Sequence, residues 1–194
     1  MNILLLGPER PAFEEFLRSL GDTVRRTEDK LTGDSPLLDD TDWIISYGFR
    51  HIIKADVLDR FPHRAVNLHI SYLPWNKGAD PNLWSFLEDS PKGVTIHYID
   101  IGVDTGDILA QQEVAMSDVD SLSSSYTKLS RTIESLFCRV WPEIRAGKLT
   151  GKKQPEGGSV HRMKDKKAYE HLLTDGWDTP VNMLIGQALV SEHS

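Results

Sequence analysis

The stretch that decides the fold is residues 42–70, DWIISYGFRHIIKADVLDRFPHRAVNLHI. It opens with an apolar run typical of a buried strand, passes through the short helical segment KADVLDRFP, and closes with a second strand, RAVNLHI. Upstream, the apolar run ILLL precedes a helical segment that places Phe13, Phe16, Leu17 and Leu20 on one face. Because strands and helices alternate in this way, the sequence predicts an open α/β fold, with a mostly parallel twisted sheet and helices on both faces.

The rest of the chain adds fewer, longer elements. Residues 28–41 are polar and predict a loop, and PNLWSFLED predicts a helix. The segments GVTIHYIDI and DILAQQEVAM predict two strands joined as a hairpin by a Gly-Asp loop. A long amphipathic helix is expected between Ser121, as its N-cap, and Gly147, just after its end.

Composition narrows the functional classes. The 194 residues suffice for one ordinary domain with a sizeable core, and the net charge of -7 argues against tight nonspecific binding to nucleic acid. The single cysteine, Cys138, excludes an internal disulfide and suits a reducing compartment. No segment has the length of a membrane span, and the start MNILLLGPERP lacks a signal-peptide pattern. A cytoplasmic protein is expected, without membrane or nucleic-acid partners.

Polar residues stand where the strand RAVNLHI ends. Asn67 and His69 are two positions apart, so their side chains leave the same face of the strand. In open α/β sheets this carboxyl edge is where ligands bind. An amide can donate to a developing oxyanion and an imidazole can exchange a proton near neutral pH, which suits attack on a carbonyl by a substrate amine. The alternatives are a buried structural histidine and, for Asp104 in IDIGVDTGDI, a simple Asp-Gly turn.

Several motifs together resemble one family. NLHISYLP followed by GADP, then GVTIHYIDIGVDTGDILAQ, is similar to the folate-dependent formyltransferases over residues 43–112. The resemblance implies their Rossmann-like fold, with a shortened N-terminal half, since Asn67 comes early. It also implies 10-formyltetrahydrofolate as formyl donor, a primary amine as acceptor, and no metal. Asn67 and His69 would stabilise the tetrahedral intermediate, and Asp104 would orient the imidazole or hold a water that relays the amine proton.

The family's pterin pocket maps onto two loops of this chain. The resemblance implies that backbone groups and apolar walls bind the donor there, at His51, Ile52, Ile53, Leu58, Asp100, Ile101, Gly102 and Val103. His97 resembles a structural histidine of the family, and Ser71 is expected to form hydrogen bonds within its loop. Trp75, Asn76, Lys77 and Gly78 take the place of a variable loop beside the acceptor. Trp75 could stack on a sugar or base and Lys77 could pair with a phosphate, or both could be ordinary surface residues.

The positions at which this sequence differs from the family pattern narrow the choice of acceptor. GPER replaces the Gly-Ser type of loop that holds acceptor phosphate in some members, and the chain after Gln111 is too short for a tRNA-binding barrel. The chain is closest in style to compact sugar N-formyltransferases and to the formylation domain of linear gramicidin synthetase. An amino sugar linked to a nucleotide is the leading acceptor. Alternatives are an aminoacyl group on a carrier protein, a methionyl-tRNA formyltransferase-like enzyme without its tRNA-binding domain, and a folate-binding module without turnover.

The expected domain division places a catalytic domain at residues 1–150. Residues 151–194 are expected to form a hairpin and helical extension packed on that domain. Within this tail, Gln154, Gly158 and His161 are candidates for contacts with the acceptor or with a second copy in a homodimer, or for ordinary turn chemistry.

Overall fold

The computed structural model describes residues 1–190, which form two compact units. Unit 1 comprises Met1–His69, Ile96–Ala110 and Phe137–Lys153. Unit 2 comprises Ile70–Thr95, Gln111–Leu136 and residues 154–190. Residues 191–194, the end of the predicted C-terminal extension, lie outside the described residues. The division into domains at residue 150 stays a prediction.

The strands of the described chain form two sheets. They are β1 (Asn2–Leu6), β2 (Thr23–Thr27), β3 (Trp43–Ser46), β4 (Ala65–His69), β5 (Lys77–Gly78), β6 (Gly93–Tyr98), β7 (Ile108–Glu113) and β8 (Val160–His161). Six of them form a sheet in the order β2-β1-β3-β4-β6-β7, and β5 pairs with β8. The pairs β1–β2, β1–β3 and β3–β4 are parallel, which confirms the mostly parallel α/β sheet expected from the sequence.

The helices lie where the sequence pattern predicts them, and the end of the first helix differs from the prediction. They are α1 (Pro11–Ser19), α2 (Ala55–Leu58), α3 (Pro81–Leu87), α4 (Leu122–Arg145) and α5 (Gln187–Val190), with 3-10 turns at Pro36–Leu38, Asp165–Leu172, Gly176–Asp178 and Val181–Met183. The prediction that Leu20 belongs to the apolar face of α1 was wrong. The helix ends at Ser19, so Leu20 caps it and is exposed.

Strand β2 was missed from the sequence because its residues, TVRRT, lack an apolar run. It lies at one edge of the sheet, paired with β1. Charged side chains are common on such edges because they discourage pairing with another chain. The strand carries two of them, Arg25 and Arg26, and Arg25 donates to the backbone carbonyl of Asp39 and to the Thr41 hydroxyl. The conformation of β2 therefore depends more on its contacts with β1 and with residues 39–41 than on the pattern of apolar residues in its own sequence.

The core of unit 1 is apolar and includes residues from strands and loops. One buried cluster consists of Leu4, Leu6, Leu31, Leu38, Ile44, Ile53, Val57, Phe61 and Ala65. Aromatic rings form further contacts, with Phe137 lying 4.9 Å from Phe13 and 5.0 Å from Trp141 between ring centroids. These clusters hold the strands that carry the polar residues described below.

The ends of α4 are those predicted. Ser121 is the N-cap: the Ser124 backbone N–H donates to the Ser121 hydroxyl oxygen, and the Ser121 N–H donates to the Ser124 hydroxyl oxygen. Gly147 lies just beyond the helix and has a φ of 65°. Its backbone N–H donates to the carbonyl of Ile144, in the last turn of the helix. No helix among residues 1–190 combines the length and apolarity needed to cross a membrane.

Unit 2 has its own core, built on α3. The buried cluster contains Leu83, Trp84, Phe86, Leu87, Leu122, Val181 and Leu184. The tail contributes strand β8, which pairs in parallel with β5 rather than within the tail as a hairpin would. The segment before α3 is consequently braced by residues that follow it by some eighty positions, as in the contact between Asn76 and Ser159, which are 83 apart.

Candidate active site

The carboxyl ends of three parallel strands lie side by side in unit 1. In the register of the sheet, Leu6 of β1 stands beside Ser46 of β3, and Ser46 stands beside Asn67 of β4. Asn67 and His69 are therefore at the edge of the sheet where ligands bind in open α/β folds. His69 is buried and Asn67 is half-buried.

Asp104 joins this pair from the loop between β6 and β7. The Asn67 Nδ2 donates to Asp104 Oδ1 at 3.1 Å, and the His69 Nδ1 lies 3.6 Å from Asp104 Oδ2. Asn67 and His69 thus approach different oxygens of the same carboxylate. The structure brings together the three residues expected from the sequence, and their catalytic role stays a prediction.

The loop that carries Asp104 is tightly folded. Asp104 has a φ of 52°, a left-handed conformation that Asp adopts more readily than most residues. A Cβ on Gly106 would lie 1.8 Å from the carbonyl oxygen of Tyr98, so only glycine permits this close approach. The Asp100 carboxylate accepts the Gly102 N–H at 3.1 Å and the Thr105 hydroxyl at 2.6 Å. These contacts fix the carboxylate of Asp104 relative to the end of β6.

His97 is a fourth member of the cluster. Its Nδ1 lies 2.7 Å from the carbonyl oxygen of Tyr98, which can only accept, so Nδ1 carries a proton. In the neutral ring Nε2 is then an acceptor, and it lies 3.3 Å from Asn67 Nδ2 and 3.5 Å from Asp104 Oδ1. Both hydrogens of the Asn67 amide therefore face partners within the cluster.

Sequence reasoning gave His97 a structural role only, and its side chain is 2% exposed. A signal was nevertheless available in the sequence, because His97 stands on the strand that leads directly into the loop of Asp104; the structure then places this strand, β6, next to β4. A polar residue near the end of that strand falls opposite the polar face of its neighbour. His97 and His69 have ring centroids 6.3 Å apart, so two imidazoles flank one carboxylate.

The residues expected to bind a pterin divide into exposed and buried sets. Ile52 and Ile101 are 66% and 80% exposed, and Val103 is exposed as well, as are His51, Asp100 and Gly102. Ile53 is buried in the core of unit 1, and Leu58 packs against the same cluster. Large apolar side chains left in water on two short loops are typical of a binding surface. Their role in donor binding stays a prediction.

In unit 2, the loop of residues 71–80, called loop 71–80 below, contains the four residues expected to meet the acceptor. Trp75 is 38% exposed, and Lys77 and Gly78 are half-buried. Asn76 is 0% exposed and its side chain is directed into unit 2, where it donates to Glu88 at 2.9 Å. Ser71 forms the expected hydrogen bond within the loop, to the carbonyl of Trp75 at 2.9 Å. The geometry favours Trp75 and Lys77 for ligand contacts and gives Asn76 a supporting position.

An amide, two imidazoles and a carboxylate at the carboxyl edge of an α/β sheet define a class of site. It is equipped for addition to a carbonyl group with proton transfer, and it offers no serine or cysteine nucleophile within these contacts. Such a site suits transfer of an acyl group to an attacking nucleophile that comes with the substrate.

Comparison with known proteins agrees with this class. The sequence profile of the family described as "Formyl transferase" matches residues 22–140. The methionyl-tRNA formyltransferase of Bacillus licheniformis is 32% identical over 91% of this chain and 56% of its own length. The dTDP-4-amino-4,6-dideoxyglucose formyltransferase of Mycobacterium bovis is 33% identical over 64% of this chain and 52% of its own. The chain thus spans about half the length of the curated relatives it matches.

One solved structure is similar to this chain over nearly the whole length of this chain. The formyltransferase PseJ from Anoxybacillus kamchatkensis is 61% identical and superimposes with a TM-score of 0.95, covering 97% of this chain and 100% of that one. Its crystal structure holds UDP-4,6-dideoxy-4-formamido-L-AltNAc and tetrahydrofolate. The chain belongs to the formyltransferase family.

Proposed function

We propose that the protein is an N-formyltransferase that moves the formyl group of 10-formyltetrahydrofolate to the primary amine of a nucleotide-linked amino sugar. The observation that carries this proposal is the cluster of Asn67, His69 and Asp104 at the carboxyl edge of the sheet. The 61% identity to a formyltransferase crystallised with a UDP-linked formamido sugar and tetrahydrofolate supports the choice of both substrates.

The exposed loops of unit 1 fit a folate donor. Ile52, Ile101 and Val103 offer apolar surface for a flat ring, and the backbone groups of the same loops can form hydrogen bonds to its edge. Ile53 and Leu58 anchor the first loop in the core, and Ile99, which precedes the second loop, packs on the same cluster. The donor supplies an activated formyl group, and these residues would hold it beside the cluster.

The cluster can stabilise the negative oxygen that develops when an amine adds to the formyl carbon. The Asn67 amide can donate to this oxygen, taking over the hydrogen now directed at His97, which forms the longer of its two contacts. A protonated His69 can donate to the same oxygen, and the Asp104 carboxylate 3.6 Å away stabilises that charge.

The reaction must also move one proton from the attacking amine to the folate nitrogen that leaves. Asp104 is the carboxylate available within the cluster for this step. It would accept the proton from the amine and return it to the leaving nitrogen, directly or through one water. The overall exchange is balanced: one C–N bond forms, one C–N bond breaks, and no oxidant or metal is required.

The acceptor would meet loop 71–80, which follows His69 directly in the chain. Trp75 offers an exposed ring for stacking on a base or sugar, and Lys77 offers a cation for a phosphate. A tRNA acceptor is the second candidate, favoured by the 32% identity to a methionyl-tRNA formyltransferase. The net charge of -7 opposes it, because tRNA binding relies on neutralising phosphates with basic groups.

A direct test incubates the purified protein with 10-formyltetrahydrofolate and a panel of acceptors. UDP- and dTDP-linked amino sugars, an aminoacyl carrier protein and methionyl-tRNA would be compared by mass spectrometry of the acceptor. Formamide on a nucleotide sugar with release of tetrahydrofolate is the expected result. Formylation of the carrier protein or the tRNA alone would overturn the proposed acceptor, and full activity in Asn67→Ala or His69→Ala would overturn the assigned residues.

Two further features belong to the same proposal. A cytoplasmic location suits a chain whose single cysteine needs no oxidising compartment. Tyr126 and Trp177 are both exposed on unit 2, and their ring centroids lie 6.1 Å apart. Together they offer an apolar surface for the contact of a homodimer. Sedimentation at several concentrations distinguishes a dimer from a monomer.

A further inference from the structure

Loop 71–80 depends on the tail for its backbone hydrogen bonds. The N–H of Lys77 donates to the carbonyl of Ser159 at 2.9 Å, and the N–H of Ala79 donates to the carbonyl of His161 at the same distance. These bonds belong to the parallel pair of β5 and β8. A two-residue strand has little stability alone, so the loop owes this part of its conformation to residues 159–161.

A buried polar network continues the connection. The Asn76 backbone N–H donates to the Ser159 hydroxyl at 3.0 Å, and its Nδ2 donates to Glu88 Oε2 at 2.9 Å. Its Oδ1 accepts the Ser90 hydroxyl at 2.9 Å, and Ser159 also donates to Glu88. A polar network that is connected in this way favours one conformation of the loop. With Asn76 held inward at a φ of 53°, its neighbour Trp75 is left on the surface.

His161 completes the network from the tail. Its ring stacks on Trp84 with centroids 3.6 Å apart and planes 3° apart, and its Nε2 lies 2.9 Å from Glu88 Oε1. Burial acts to raise the pKa of Glu88, but hydrogen bonds from His161, Ser159 and Asn76 hold that pKa below its usual value. Glu88 therefore stays ionised near neutral pH and remains an acceptor for all three.

The backbone of the tail also approaches loop 71–80 closely at one glycine. Gly158 has a φ of 83°, and a Cβ there would lie 2.0 Å from the carbonyl oxygen of Pro74, next to Trp75. Gly157 has a similar φ of 92°, but a Cβ there would have no atom within 4 Å. The two adjacent glycines share the same backbone requirement, and only Gly158 contacts the loop.

We propose that the tail segment 158–161 is a specificity-determining part of the acceptor site, with Gly158 and His161 as positioning residues that hold loop 71–80 in its acceptor-binding conformation. This inference rests on the proposed function. Loop 71–80 and the tail belong to unit 2, whereas the residues proposed for donor binding and proton transfer belong to unit 1. Changes in the tail should therefore act on the acceptor and spare the donor.

The test compares Gly158→Ala with Gly157→Ala in steady-state kinetics, with a UDP-linked amino sugar and 10-formyltetrahydrofolate varied in turn. Both variants carry the same strain from a positive φ, so their difference isolates the contact with Pro74. We expect Gly158→Ala to raise the KM of the acceptor about tenfold over Gly157→Ala, because a small displacement of a substrate-positioning group has effects of this size. The KM of the donor and the binding of tetrahydrofolate should be the same in both.

His161 gives a second, milder comparison, which decides alone if Gly158→Ala fails to fold. His161→Phe keeps a ring for Trp84 and removes the partner of Glu88, whereas His161→Gln keeps a donor that can reach Glu88. We expect His161→Phe to raise the KM of the acceptor and His161→Gln to restore part of the loss. His171→Gln, at an exposed position of the same tail, is the control and should leave all constants unchanged.

Each outcome bears on one claim. Equal acceptor KM values in the two glycine variants, or equal losses for acceptor and donor, would overturn the role of the tail while leaving the proposed function intact. A parent protein that forms no formamide with any nucleotide sugar would overturn the proposed function, and this inference with it.

Discussion

The cluster at the end of β4 and loop 71–80 are built in different ways. Asn67 and Asp104 are 37 positions apart, and sheet register together with one short loop brings them together. Loop 71–80 is held by side chains much further along the chain, since Ser159 lies 83 positions after Asn76 and 71 after Glu88. The first region depends on strands whose positions are set by the apolar core. The second depends on contacts between the loop and the tail.

Because the two regions are built separately, one kind of chemistry can serve different acceptors. A substitution in the tail can alter loop 71–80 without changing a residue of β4 or of the loop that carries Asp104. The groups for formyl transfer are set by the sheet, so we expect them to be sensitive in rate and insensitive to the choice of acceptor.

The largest effect is expected for Asp104→Asn. The variant keeps an oxygen for the Asn67 amide but loses the charge and the base, so single-turnover formamide formation should slow by about 10³-fold, within the usual range for a proton-transfer group. Binding of tetrahydrofolate should persist. Asp107→Asn, in the same loop, is the matched control and should retain the parent rate. A variant Asp104→Asn as fast as the control would remove Asp104 from the mechanism.

The next effect concerns His97 as a positioning residue. His97→Phe keeps a flat buried ring but leaves Asn67 without the acceptor at 3.3 Å. We expect kcat to fall by about 10- to 100-fold, because a misplaced catalytic group costs up to about 10² in rate. The KM values should change little, and His63→Asn, at an exposed position with a φ of 55° that Asn tolerates, should behave like the parent. A rise in KM with kcat unchanged would assign His97 to substrate binding instead.

Sequence reasoning predicted the two regions to different depths. The apolar runs of β1, β3 and β4 and the two-residue spacing of Asn67 and His69 were enough to place the cluster at the sheet edge. His97 was undervalued because its contacts come from the neighbouring strand, and β2 was missed because two arginines interrupt its pattern. The inward position of Asn76 had no signal in its own segment, since its partners Glu88 and Ser159 become neighbours only when the tail pairs with β5.

A smaller effect is expected at the exposed ring of loop 71–80. Trp75→Ala should raise the KM of a nucleotide sugar about tenfold, since stacking of a base on an aromatic ring contributes roughly 1–3 kcal/mol. The free energy of unfolding should stay close to that of the parent because the ring is on the surface. Met183→Ala, at another exposed apolar side chain of unit 2, is the control for kinetics. Equal KM values for the two variants would place the nucleotide elsewhere.

The smallest effect concerns stability at the start of α4, a contact formed locally in the chain. The hydrogen bond from Lys128, opposed by burial and aided by the Ser117 N–H and the Ser124 hydroxyl, lowers the pKa of Asp120 from 3.8 to about 2. Since the folded-state pKa is the lower one, the stabilisation is present above about pH 4 and is lost as the pH falls towards 2.

Asp120→Asn should therefore lower the free energy of unfolding at pH 7 by about 1 kcal/mol, allowing for screening of the exposed lysine by solvent. Urea titrations at pH 7 and pH 3 measure this loss, which should shrink at the lower pH. Asp118→Asn, an exposed neighbour, should change neither value. A loss that is equal at both pH values would show that the ionised carboxylate contributes nothing.

The role of the cluster in formyl transfer is tested by the rates at which the parent protein and His69→Ala convert a UDP-linked amino sugar to its formamide with 10-formyltetrahydrofolate. We expect release of one tetrahydrofolate for each formamide formed by the parent, and a loss of about 10²-fold or more in His69→Ala, as for other acid–base groups. The absence of formamide with the parent protein would overturn the proposed reaction, and formation by His69→Ala at the parent's rate would remove His69 from it.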